Sequence, residues 1–139
     1  MLVFEGFSVE EARRFADAWL PAWTGNESER LIEFYADDAF YSDPAIPQGI
    51  RGRGNLQAYF KKLLKRNPEW VWEQIEAVPM EGGFVNKWRA RIPAGGDSLT
   101  LEGVCLVWLR GNRISRNEVY FDRTSLMEAL KKEKHRRGA

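Results

Sequence analysis

From Pro68 the hydrophobic spacing of this chain changes to a period of two, and that change sets mainly helices before it and four strands after it. Upstream, apolar residues recur at helical spacing. Ser8-Val9-Glu10-Glu11 has the form of a capping box, in which the serine accepts from the first turn and Glu11 reaches back. The helix it starts carries Ala12, Phe15, Ala16, Trp19, Leu20 and Trp23 on one face, and Pro21 kinks or ends it. Thr24-Gly25-Asn26 is a break; Ser28 to Ala36 reads as a shorter helix and Phe40-Tyr41 as a short strand ending at Asp43. Pro44 to Arg53 reads as a loop, after which Asn55 caps a third helix with Leu56, Tyr59, Phe60, Leu63 and Leu64 on its apolar face.

Downstream of Pro68 the alternation is that of strands. Trp70 to Val78, Phe84 to Ile92, Leu99 to Leu109 and Arg113 to Asp122 are each bounded by turn residues: Gly82-Gly83, Gly95-Gly96-Asp97 and Arg110-Gly111-Asn112. Within the second of these, Phe84, Asn86, Trp88, Ala90 and Ile92 share one face and Lys87, Arg89 and Arg91 the other. Helices followed by antiparallel hairpins make an α+β domain, with the helices packed on one face of a bent sheet. A terminal helix begins at Asp122 and runs into basic residues. The reading assigns 1–130 to one domain and 131–139 to a basic C-terminal tail.

Charge and composition narrow the partners. With 21 Lys and Arg against 20 Asp and Glu, the chain offers no electrostatic case for nucleic acid or a membrane surface. No apolar run approaches the roughly 20 residues a membrane span needs, and no basic-then-apolar leader opens the chain, so the expected location is cytoplasmic. Cys105 is the only cysteine and His135 the only histidine, which argues against zinc sites, Cys-His pairs and Ser-His-Asp triads; no metal or organic cofactor is expected. The expected ligand is small. Six Trp, eight Phe and four Tyr either fill a core or line a hollow for a flat apolar molecule.

Asp43 stands out among the carboxylates. Pro44 confines it to extended backbone at a strand end, and a fixed orientation is what an acid/base group needs. The competing reading is a turn starter whose side chain accepts from nearby backbone N–H groups.

Tyr35 to Ala39 with Asp43-Pro44, the glycine-rich stretch Gly52 to Phe60, and Tyr120-Phe121-Asp122 before the last helix form a recognisable pattern. From about Glu11 to Leu130 the chain resembles the nuclear transport factor 2-like superfamily, in particular its SnoaL-like polyketide cyclases and ketosteroid isomerases. The resemblance implies a cone: a curved, mixed, mainly antiparallel sheet wrapped around a long N-terminal helix, leaving an apolar pocket at one end. Asp43 matches the isomerases' general base, which moves a proton between carbons beside a carbonyl. In that family a Tyr and a protonated Asp donate to the enolate oxygen; here Trp19 and Cys105 stand at those positions, a departure at both. The acid/base Asp of the cyclases corresponds to Asp122, which also suits a helix cap.

On the last strand Asn117, Val119 and Phe121 share one face and Glu118, Tyr120 and Asp122 the other, and alternation leaves open which set faces the pocket. If Cys105 points inward, so do Leu101, Gly103 and Val107, leaving Val104, Leu106 and Trp108 outside as an apolar face for sheet-to-sheet homodimerisation, usual in the relatives.

Three functions follow. In the first, Asp43 or Asp122 takes a proton from carbon on a hydrophobic carbonyl substrate, while Trp19 with Tyr41 or Asn86 orients its oxygen. In the second, Phe15, Trp19, Phe60, Trp88 and Phe121 hold a flat hydrophobic ligand without chemistry. In the third, the domain is a dimerising scaffold. A pocket that is open and polar-tipped, open and apolar, or filled by its own Trp rings separates them.

Overall fold

A computed structural model describes residues 8–94 and 97–137. In chain order it contains α1 (Val9–Trp19), a tight 3₁₀ turn (Leu20–Trp23), α2 (Ser28–Ile32), β1 (Tyr35–Asp43), β2 (Ile46–Arg51), α3 (Arg53–Arg66), β3 (Val71–Met80), β4 (Gly83–Ala94), β5 (Asp97–Arg110), β6 (Arg113–Tyr120) and α4 (Thr124–Arg137). Among the described residues the strands form one sheet in the order β2-β1-β6-β5-β4-β3. Every neighbouring pair is antiparallel except β1 and β6, which run parallel with Tyr41 opposite Asn117. The sheet curves into a cone around α1, the α+β architecture expected. No helix among the described residues is long and apolar enough to cross a membrane.

Local chemistry explains the helix that fills the cone. Ser8 is extended and its hydroxyl accepts the Glu11 N–H at 3.0 Å, so α1 starts where the capping pattern places it. Ala12, Ala16 and Trp19 form its buried face, and the small alanines let it lie close against β3 and β4. Pro21 opens the 3₁₀ turn that ends it.

Three expectations are corrected. The second helix stops at Ile32 rather than Ala36, because the Phe34 carbonyl accepts the Ile114 N–H at 2.7 Å and draws Tyr35 into β1 beside β6. The stretch read as a loop contains β2: it is an edge strand, where Pro47 removes no needed donor, and Gly49 at φ 77° lies flat under the Phe40 ring. Asn55 does not cap the third helix. That place belongs to Gly52 at φ 95°, and the Asn55 amide instead donates back to the Arg51 carbonyl at 2.9 Å. Gly95 and Gly96 of the expected turn lie outside the described residues, and α4 continues through the basic stretch to Arg137.

The inner face of the sheet is as alternation predicts. Phe84, Asn86, Trp88, Ala90 and Ile92 are buried along β4, as are Leu101, Cys105 and Val107 along β5. Opposite them, Val104, Leu106 and Trp108 are half-buried. Arg116 covers part of that outer face, its guanidinium 4.1 Å from the Phe40 ring centroid and 5.9 Å from that of Trp108, held by Glu118 at 2.7 Å.

Candidate functional site

Asp43 ends β1 facing inward and only 8% exposed. Its Oδ1 accepts the backbone N–H groups of Ala45 and Ile46 at 2.8 and 3.1 Å, which closes the turn into β2. Its Oδ2 accepts two phenols, Tyr41 at 2.8 Å and Tyr59 at 2.7 Å. Four donors therefore occupy the acceptor positions a carboxylate offers. Both readings of Asp43 meet here: it is a turn former, and it is buried and fixed. Burial first, then the adjacent carboxylate, pushes both phenols well above the ordinary tyrosine range.

The hollow of the cone lies next to this group. A cavity of about 50 Å³ is bounded by Leu20, Trp23 and Tyr41, by Trp70 and Trp72 at the rim, by Trp88, Ala90 and Ile92 of β4, by Leu101 and Cys105 of β5, and by Val119 and Phe121. Trp70 and Trp72 are half-buried, their ring centroids 5.9 Å apart. Asp43 does not line this cavity: it opens onto a neighbouring cleft with Ser42, Pro44 and Pro47, and the two share Val119 and Phe121 as a common wall. The inward set is thus Asn117 and Val119 on β6 and Phe121 just past its end. Glycine at 103 makes room for the wall, since a Cβ there would run into the Trp88 ring and the Tyr120 carbonyl.

The remaining expected residues fall into two groups. Tyr41, Trp88, Cys105 and Phe121 line the cavity. Phe15, Trp19 and Phe60 stand behind it in the core: Phe15 packs on Trp19, Phe34 and Phe84, and Phe60 on Trp23, Tyr35 and Tyr41. Asn86 and Asn117 are buried on the inner face without lining the cavity, and the Asn117 amide donates to the Tyr35 hydroxyl at 3.1 Å. The Trp19 indole N–H lies near enough to that hydroxyl to act on its ionisation, without reaching hydrogen-bond geometry. Burial pushes the Cys105 thiol up to about 12, offset in part by the nearby Trp88 indole.

Asp122 does not join them. It is exposed, because Phe121 takes the inward place at the end of β6, and its Oδ1 accepts the Thr124 N–H at 2.9 Å and the Thr124 hydroxyl at 2.6 Å, closing the turn into α4. Those bonds hold its carboxyl below the ordinary range. Among the described residues, no three His, Cys, Asp or Glu side chains converge to hold a metal ion.

Sequence reasoning passed over Tyr59, Trp23, Trp70 and Trp72. Tyr59 had a signal, since it lies on the apolar side of α3 with a polar tip beside Phe60.

A SnoaL-like domain model matches residues 12–117, which spans β1, the Asp43 turn and the cone. The chain belongs to the SnoaL-like domain family. This SnoaL-like domain also resembles solved structures of low identity, which share its fold. One is a protein of ketosteroid isomerase-like fold from Catenulispora acidiphila DSM 44928, solved with trimethylamine: TM-score 0.73, 20% identity, 83% of this chain and 90% of that one covered. A SnoaL-like protein of unknown function from Burkholderia thailandensis E264 has TM-score 0.70 and 20% identity, with 84% and 98% covered. TerC, co-crystallised with polyporic acid, has TM-score 0.71 and 14% identity, with 85% and 96% covered. No curated protein matches the sequence.

Proposed function

We propose that this SnoaL-like domain binds a small, flat, hydrophobic molecule inside the cone. The observation that carries the reading is the cavity itself, walled by aromatic and aliphatic side chains and rimmed by the half-buried rings of Trp70 and Trp72. At about 50 Å³ it is far smaller than the roughly 300–1,000 Å³ of ligand pockets, so binding requires the rim rings to part. Tyr41, Trp88, Cys105 and Phe121 contact the ligand; Phe15, Trp19 and Phe60 hold the rings that do. Solved neighbours of the same fold with bound small molecules support a binding role in general. The test is titration with flat aromatic ketones, followed by tryptophan fluorescence. Ala90→Leu, which fills the cavity, abolishes a genuine response; an unchanged response in that variant refutes the pocket.

A second reading, proton transfer from carbon by Asp43, is favoured by one fact: its cleft and the cavity share Val119 and Phe121. For Asp43 to act, one phenol must release Oδ2. Conversion of a β,γ-unsaturated ketone to its conjugated isomer, abolished by Asp43→Asn, is the expected sign; no turnover by the natural protein removes isomerisation of such ketones.

Homodimerisation through the face carrying Val104, Leu106 and Trp108 is part of the same proposal, since Arg116, over Phe40 and at 5.9 Å from the Trp108 ring, covers only part of that face.

A further inference from the structure

The cleft beside the cavity is the larger hollow of the two. It holds about 470 Å³, within the roughly 300–1,000 Å³ of small-molecule sites, and is lined by the turn from Ser42 to Pro44, by Pro47, and by Val119, Tyr120 and Phe121. These walls are contiguous: β1 and β6 run parallel with Ser42 opposite Glu118, so Asp43 and Val119 come next on the two strands. Both rings are held in place. The Tyr120 hydroxyl donates to Glu118 at 2.6 Å, and Phe121 meets Trp88 edge-on with 5.6 Å between ring centroids.

Asp43 is the one charged residue in this lining, and it takes part in none of the ion pairs among the described residues. Its four donors, the Tyr41 and Tyr59 hydroxyls and the Ala45 and Ile46 N–H groups, are all neutral. They fill its acceptor positions without cancelling its charge. A carboxylate as buried as this one is ordinarily paired with a cation, so the cleft favours a positive ligand.

The filled acceptors decide which kind. A metal ion needs free oxygen ligands, and a primary ammonium needs acceptors for three N–H groups; Asp43 has no position left for either. A quaternary ammonium needs none. Its charge is spread over methyl groups, which pack on aromatic rings and on proline while the carboxylate attracts them from a few ångströms away.

We propose that this cleft is a binding site for quaternary ammonium groups, with Asp43 supplying the charge and Tyr120 and Phe121 the rings. The site is distinct from the aromatic cavity: the two share the wall of Val119 and Phe121, and the ammonium sits on the Asp43 side of it.

Three probes test this by calorimetry: choline, its neutral carbon isostere 3,3-dimethyl-1-butanol, and the primary amine ethanolamine. The natural protein binds choline about tenfold or more tightly than either of the others. Tyr120→Leu, at a position 50% exposed and so tolerant of change, removes one ring and weakens choline binding about threefold or more. In Asp43→Asn the preference for choline over its isostere falls to about one; should that variant fail to fold, the probe comparison in the natural protein and Tyr120→Leu still decide. Isostere or ethanolamine bound as tightly as choline, choline binding indifferent to Tyr120→Leu, or no choline binding at millimolar concentration overturns the inference.

Discussion

The Tyr59 hydroxyl reaches from α3 to the end of β1 and donates to Asp43 Oδ2 at 2.7 Å, beside the Tyr41 hydroxyl on the same oxygen. A helix is thereby tied to a hairpin through one carboxylate. A hydrogen bond to a charged group contributes about 1.5–3 kcal/mol. Tyr41→Phe should lose stability in that range, because Tyr41 is only 2% exposed and water cannot replace its hydroxyl. Tyr59→Phe, at a half-buried position, should lose less. Urea unfolding of both variants checks the order; a larger loss at Tyr59 contradicts this account.

Alkaline pH should unfold the protein cooperatively. Tyr35, Tyr41 and Tyr59 are raised in the folded state above their ordinary value of 10.0, chiefly by burial, so folding favours the neutral phenol. Their contribution is fully present below about pH 10 and is lost as pH rises above it, because the unfolded chain then gives up protons that the folded one retains. Tyr120 is exposed and raised mainly by its bond to Glu118, so it should ionise separately. Tyrosinate absorbance should rise in two stages, the larger coinciding with loss of circular dichroism. Four phenols titrating together in a folded protein would contradict this.

Cys105 should be inert. With its thiol pushed up to about 12 by burial, almost no thiolate exists at pH 8. Reaction with a disulfide reagent should be slow in the native protein and should accelerate in step with unfolding as urea is added. Rapid reaction in buffer would mean that the cavity wall opens on its own.

The outer face makes a prediction about assembly. Trp108 is half-buried in a single chain, and a second copy would finish its cover. Sedimentation should give twice the chain mass for the natural protein and the chain mass for Trp108→Glu, with the spectrum of a folded domain in both. A natural protein that sediments as a monomer at high concentration removes the dimer.

The inner face of the sheet was legible because alternation along Phe84 to Ile92 is a local signal. So was the fixed position of Asp43, which follows from Pro44. The boundary between α2 and β1 was not, since Leu31, Ile32, Phe34 and Tyr35 fit a helix equally well, and the bond that decides it comes from Ile114, far along the chain. The edge strand β2 was hidden by Pro47 and Gly49, residues that suit a loop unless a neighbouring strand is known to lie on the other side. Within the site, the rings could be counted but not their rotamers, so Trp70 and Trp72 at the rim and the two phenols on Asp43 emerge only from packing.

The parallel pairing of β1 with β6 bears on how the chain is made. The two strands lie far apart in sequence, with four strands and a helix between them, yet each is the other's neighbour in the sheet. Such pairing is slow to form, because a long loop must close before any contact rewards it. During synthesis the early aromatic residues, Trp19, Trp23 and Tyr41 among them, leave the ribosome well before β6 exists to wall them in. The nascent chain therefore carries an uncovered aromatic surface until β6 has been added, the kind of surface that chaperones shield.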